Sequence, residues 1–334
     1  MKKRNIQLGF DNFSIRAMKW NAEQLIEYAG SLKLDTILLS NLGVYASHDD
    51  DYLKTVKELA DRNGILIHAG TNSICPTSNS FSDEYGDAIE HLELCLRVAK
   101  ALGSPVLRCY QGNRSDRETD GGIFKHIEKT VEVCKKVKNQ YLDAGVKIAV
   151  ENHAGDMQAW ELVELIEAAG KDYVGATIDA GNATWTVEDP FVSMQQLAPY
   201  AASTGIRDST VWEIENGARV VWSNVGDGNV DWEAYIDFFE ENCPGVPIQL
   251  ETISGADRPF GYLEQDFWKT YPQGRASDLA AFVAFAKKGK PYTPPTNRPT
   301  GENSESLIQQ QQRFDLEESL RYCKERLGLG IKKG

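Results

Sequence analysis

The feature that most constrains how this chain can fold is an alternation of short β-rich runs with amphipathic helical stretches, repeated eight times. The strand candidates are residues 6–11, 36–41, 65–70, 106–110, 147–153, 175–181, 201–208 and 247–252. Helical periodicity fills the gaps, for example over 22–32, 51–62, 85–102, 124–143, 159–169 and 232–241. Several of these stretches stop at a glycine, among them Gly64, Gly103, Gly145 and Gly170. Eight β-then-α units are what a closed (β/α)8 barrel of parallel strands needs. The competing open, doubly wound sheet usually carries a glycine-rich phosphate turn after its first strand. Here Gly9-Phe10-Asp11-Asn12 stands instead, with no G-x-G-x-x-G.

Two additions to the eight units are expected. Residues 211–222 read as a β-hairpin inserted after the seventh strand, with Glu215-Asn216-Gly217 at its turn. Residues 289–305 are rich in Pro, Thr and Asn and read as a linker. This divides the chain into a barrel over 1–290 and a C-terminal extension over 291–334. Within the extension, 307–327 is helical, and Leu316, Leu320, Cys323 and Leu327 make an apolar stripe. The stripe must be covered, either by the chain's own barrel or by a second copy in a homodimer.

The 334 residues suffice for one such barrel with additions, and the formal net charge is −13. That charge speaks against nucleic acid as a partner. The dense basic runs are Lys2-Lys3-Arg4 and Lys135-Lys136-Val137-Lys138, and the second reads as a solvated helix face. The six cysteines form no C-x-x-C pair, as expected of reduced thiols in a cytoplasmic protein. Neither a signal core nor a run long enough to span a membrane is evident.

Strand parity then sorts inward from outward side chains. Ile148 and Val150 share the outward face, so Glu151 and His153 point into the barrel. Ala176 and Ile178 face out, so Asp179 points in. Ile248 and Leu250 face out, so Glu251 points in. All three carboxylates fall at the C-terminal ends of strands, where barrel active sites are built. Burying them together requires compensating cations. A divalent metal is one solution, with Mn²⁺, Mg²⁺ or Co²⁺ suited to oxygen ligands. Pairing with Arg108, Lys147 and Arg207 is the other. His48, His91 and His126 show no ligand spacing. His68 ends a strand and is a candidate pocket residue, as is Trp185 in the top loops, where aromatic faces can stack on sugars.

The runs Glu151-Asn152-His153, Ile178-Asp179-Ala180-Gly181-Asn182, Ile206-Arg207-Asp208-Ser209, Gly226-Asp227-Gly228-Asn229-Val230-Asp231-Trp232 and Gln249-Leu250-Glu251 resemble the xylose isomerase-like TIM barrel superfamily, the sugar phosphate isomerase/epimerase group. The resemblance spans roughly residues 5 to 290. It implies one divalent metal held by a Glu, an Asp, a His and a second Glu, with Glu151, Asp179 and Glu251 in three of these places. The histidine place holds Gly205, so His153 becomes the candidate imidazole ligand or else a substrate contact. Arg207, inward if Gly205 is, suits a substrate carboxylate or phosphate.

The resemblance implies an isomerase or epimerase acting through an enediolate on a small sugar or sugar acid, with Mn²⁺ as cofactor. Glu151 and Glu251 are then the catalytic acids and bases, and Arg108, Arg207, His68, His153 and Trp185 contact substrate. Two alternatives stay open. One is a lyase: a dehydratase, or a decarboxylase of an oxo sugar acid such as 3-oxoisoapionate. The other is an inactive sugar-binding barrel.

Overall fold

The computed structural model describes residues 2–332. Its strands are β1 (Leu8–Asp11), β2 (Thr36–Leu39), β3 (Leu66–Ser73), β4 (Val106–Tyr110), β5 (Lys147–Glu151), β6 (Val174–Ile178), β7 (Ala201–Thr204), β8 (Asp208–Ile214), β9 (Gly217–Ser223), β10 (Ile248–Leu250) and β11 (Asp257–Phe260). Eight of them form one parallel sheet in the order β10-β1-β2-β3-β4-β5-β6-β7. The ring closes just beyond the end of β7, where Ile206 bridges to Leu250. There the Ile206 amide donates to the Gln249 carbonyl (2.7 Å) and the Glu251 amide to the Ile206 carbonyl (2.9 Å). All eight strand runs expected from the sequence are the barrel strands, most of them shorter than expected, β4 unchanged and β3 running on to Ser73, and the fold is a TIM barrel.

The outward residues of these strands are the large apolar ones. Leu8, Phe10, Ile37, Leu39, Ile148, Val150, Ile248 and Leu250 are buried against the helices in one continuous core. The inward positions are mostly small or polar, with Leu38 and Val106 as exceptions, as a narrow barrel interior demands. The helices are α1 (Ala22–Ser31), α2 (Asp50–Asn63), α3 (Ala88–Leu102), α4 (Gly122–Ala144), α5 (Ala159–Ala169), α6 (Ala180–Trp185), α7 (Pro190–Leu197), α8 (Trp232–Asn242), α9 (Ala276–Ala286) and α10 (Glu305–Glu325). Local chemistry sets several of their ends. Asp87 and Glu90 form a capping box that starts α3 three residues later than its periodicity suggests, and Gly103 ends it at φ 66°.

The hairpin of β8 and β9 is joined by β11, so the insertion is a three-stranded antiparallel sheet in the order β11-β9-β8. With α9 it buries a second apolar cluster containing Val211, Val220, Trp222, Phe260 and Phe282. The eighth barrel helix is therefore not the one that follows β10 first. α9 packs on β8, and α10 reaches back to β10 and to the 3-10 turn Asn12–Met18 after β1. Leu316, Leu320, Cys323 and Leu327 belong to the barrel's own core. The described cysteines are all free and buried. Among the described residues, no helix is long and apolar enough to cross a membrane.

Candidate active site

The inward carboxylates meet at the C-terminal mouth of the barrel. Glu151 ends β5, Asp179 follows β6 and Glu251 follows β10. One ligand atom from each lies within 4.8 Å of the others, and all three residues are buried. The motifs around them act as struts. Asn152 ties the ends of β5 and β6 together, donating to the Asp179 carbonyl and accepting from the Asp179 amide, both at 2.9 Å. Asp179 also caps α6 by accepting from the Asn182 amide (2.8 Å). The Asn182 amide group in turn donates to Glu151 (2.9 Å).

Two arginines complete the cage. Arg108, on β4, donates through Nε to Glu151 (2.6 Å) and through Nη1 to the Thr71 carbonyl (3.2 Å). Arg207 donates through one nitrogen, Nη2, to both Asp179 Oδ2 and Glu251 Oε2. It is among the largest fully buried side chains of the molecule. Burial works against its charge, but Asp179, Glu251 and Glu151 outweigh that and hold its pKa above the ordinary value. The same balance holds Arg108 protonated: burial opposes, while Glu151, Asp11 and Glu251 prevail. Burial pushes Asp179 well above the usual carboxylate range, against the pull of Arg207.

Three features make room for Arg207. Gly181 has no side chain, and a Cβ there would lie 2.1 Å from Arg207 Cγ. Trp222 of β9 lies under the guanidinium, 4.4 Å from ring centroid to Cζ. Trp185 stacks on Trp222 at 3.9 Å, and Arg258 of β11 covers Trp185 at 4.3 Å. The result is a four-layer stack, Arg258–Trp185–Trp222–Arg207, that runs from the inserted sheet into the cage. Trp185 thus supports Arg207 and is not among the residues lining the cavity.

A cavity of about 500 Å³ opens over the mouth, lined among others by Phe13, Asn41, Asn72, Tyr85, Arg108, Tyr110, His153 and Glu251. His153 stacks on Tyr110 at 3.9 Å, and its Nδ1 lies 2.6 Å from the Gly112 carbonyl. Burial, then Arg108, lowers its pKa to about 4, so the ring is neutral near pH 7. It does not share in the three-carboxylate cluster. His68 lies inside the barrel, its Nδ1 3.2 Å from Ser203 Oγ across the interior, and does not line the cavity. Burial lowers its pKa to about 4 as well. Lys147, the third cation considered from the sequence, stands at the start of β5 and donates to the Lys171 carbonyl instead.

One acidic residue escaped the sequence reading. Asp11 ends β1 and is fully buried. Its Oδ1 accepts from the Phe13 amide and from Ser40 Oγ, while Oδ2 has no hydrogen-bond partner. Burial and then the nearby Glu251 push its pKa up to about 7. Outward Leu8 and Phe10 give the same alternation that placed the other three acids, so strand parity was the available signal.

A sequence profile described as xylose isomerase-like TIM barrel matches residues 22–271. The chain belongs to this family. No curated protein matches it by sequence. Among solved structures, a D-psicose 3-epimerase crystallised in the presence of D-fructose has a TM-score of 0.63 at 16% identity, over 97% of this chain and 100% of that one. The IolI protein with a bound zinc atom has a TM-score of 0.58 at 16% identity, over 85% and 96%. A family protein from Mycobacterium smegmatis in complex with magnesium has a TM-score of 0.57 at 13% identity, over 86% and 100%. The trio Glu151, Asp179 and Glu251 is spaced to hold a divalent metal. Set against this, the place where the sequence resemblance implies an imidazole holds Gly205, and Arg207 already takes two of the three carboxylates.

Proposed function

We propose that this chain is a carbohydrate isomerase or epimerase that moves a proton beside the carbonyl of a small sugar or sugar acid. The observation that carries the reading is the convergence of Glu151, Asp179 and Glu251 with Arg108 and Arg207 beneath a cavity that Glu251 and Arg108 both line. A carboxylate at a carbon next to a carbonyl is placed to act as general base, and fixed cations beside it stabilise the negative charge that develops on oxygen. Glu251 is the base in this reading, and Glu151 the second carboxylate that returns the proton. Return to the opposite face is epimerisation, and return to the neighbouring carbon is isomerisation. Neutral His153, on the cavity wall, binds a substrate hydroxyl.

The test is proton exchange in heavy water against a panel of ketoses and sugar acids. Deuterium should appear at the carbon next to the carbonyl of one of them, and Glu251→Gln should abolish it. Absence of exchange across the panel, with the protein folded, would refute the reading. Release of carbon dioxide from an oxo sugar acid would put the lyase reading in its place.

A further inference from the structure

We infer that Arg207 is the resident cation of the carboxylate cage, and that this chain has exchanged the divalent metal for a guanidinium. The inference rests on the proton-transfer reading and deepens it by naming the charge that balances Glu251 and Asp179 behind the cavity wall. A Cβ built on Gly205 would lie 3.4 Å from Glu251 Oε2 and 3.5 Å from Asp179 Oδ2. These are the two oxygens to which Arg207 Nη2 donates. The position from which an imidazole would help hold a metal and the position that supplies the arginine therefore serve the same oxygens, from residues two apart in the segment between β7 and β8.

The rest of the surroundings is fitted to the arginine. Gly181 leaves the space through which its stem passes. The indole of Trp222 faces its guanidinium and is fixed by donating to the Gly181 carbonyl at 3.0 Å. Arg108 takes the third carboxylate, Glu151. A divalent ion on the same oxygens would sit within hydrogen-bonding distance of a guanidinium that is almost wholly buried, and like charges at that separation repel strongly in a buried site. A metal would have to expel Arg207 from a stack four side chains deep.

The experiment is a metal titration of the full chain, followed by melting temperature and by metal content after dialysis. The wild type should show no rise in melting temperature with Mn²⁺, Mg²⁺ or Zn²⁺ and should retain no stoichiometric metal. The double variant Gly205→His/Arg207→Met restores an imidazole and removes the cation. It should retain about one Mn²⁺ per chain and melt higher when the ion is present. Arg207→Met alone leaves carboxylates unbalanced and should be strongly destabilised, with recovery on adding Mn²⁺. Stoichiometric metal in the wild type, or a melting temperature that rises with Mn²⁺, would overturn the inference. So would a folded double variant that ignores metal. None of these readouts involves turnover, so failure of the sugar screen and failure of this inference are separate results.

Discussion

Two glycines set what the cage can contain. Gly205 removes a side chain that would point at Asp179 and Glu251, and Gly181 clears the path of Arg207. Gly181→Ala is therefore predicted to act through the arginine. Its methyl group collides with Arg207 Cγ, so the guanidinium must leave the carboxylates. The expected loss is about 3–5 kcal/mol, the scale for separating a buried ion pair, read as a lower urea midpoint. Gly205→Ala, whose Cβ meets only ordinary contacts, should cost far less. Parity in the sequence placed Glu151, Asp179 and Glu251 inward because a strand's period of two needs no tertiary information, while Arg207 was inward only on the condition that Gly205 is. It left open which cation balances the acids, because Trp222 and Arg258 come from a sheet whose third strand is distant in sequence. A second prediction concerns Glu188. Burial raises its pKa to about 8, although Thr186 and the Ala159 amide bond it. The folded state thus holds a proton that the unfolded state releases near its ordinary value. Stability from this group is fully present below about pH 4.5 and is lost as pH rises toward about 8, at about 1.4 kcal/mol per unit. Glu188→Gln should remove that slope, so the variant gains on the wild type between about pH 5 and about pH 8 in urea titrations. A difference that does not change with pH would count against it.

Between residue and molecule, the inserted sheet gives the barrel mouth what its strands cannot supply. Its first strand starts at Asp208, one residue beyond Arg207, so the carboxylate of Asp208 fixes where the insertion leaves the barrel. Asp208 accepts from Trp232 Nε1 (2.6 Å), from the Ser209 amide (2.7 Å), and from the Gly226 and Gly228 amides (2.9 and 3.1 Å). The run Gly226–Trp232, recognised in the sequence only as a motif, is thus a loop wrapped around one carboxylate. Gly228 is required because a Cβ there would lie 2.1 Å from Asp208 Oδ1. Asp208→Asn would present an amide group to donors that need an acceptor. The expected cost is about 1–3 kcal/mol, measured as a drop in melting temperature. Arg207 should loosen with it, because the carboxylate anchors the residue next to the arginine. The sequence showed the β8–β9 hairpin through its turn residues and missed β11, whose strand Asp257–Phe260 contains a proline and is mostly exposed. Such a strand carries neither alternation nor an apolar run to reveal it.

At the scale of the whole molecule, the barrel is completed by its last helix. The ring's backbone pairing is weakest where β7 meets β10, with one bridge at Ile206–Leu250 supplemented by the Thr204 hydroxyl, which donates to the Pro247 carbonyl and accepts from the Gln249 amide, and β10 is only three residues long. A strand so short and so thinly paired depends on what packs behind it. The sequence could not decide whether the stripe on the terminal helix faces its own barrel or a second copy, because a stripe specifies burial and not its partner. In the structure the stripe faces the chain's own barrel. Leu316, Leu320 and Cys323 lie in the main core, and polar contacts fix the helix along its length. Gln312 accepts from the Ala17 amide (2.8 Å), Ser319 Oγ accepts from the Val225 amide (3.1 Å), and Lys324 donates to the Leu32 carbonyl (2.7 Å). The first contact ties α10 to the turn after β1 that carries Phe13 into the cavity wall, and the last reaches the end of α1 at the opposite, N-terminal face of the barrel. Leu320→Ala should therefore cost about 2–5 kcal/mol, as for a leucine deleted from a packed core. Truncation after Lys290 should go further. It uncovers β10 and the Asn12–Met18 turn together, so Glu251 loses the rigidity of its strand as well as its shield. The truncated chain should bind a hydrophobic dye and melt without a sharp transition. Cross-linking of the full-length chain should show no dimer held by the stripe, because the stripe is already buried within one chain. A truncated protein that melts as sharply as the full chain would mean that the barrel closes without α10.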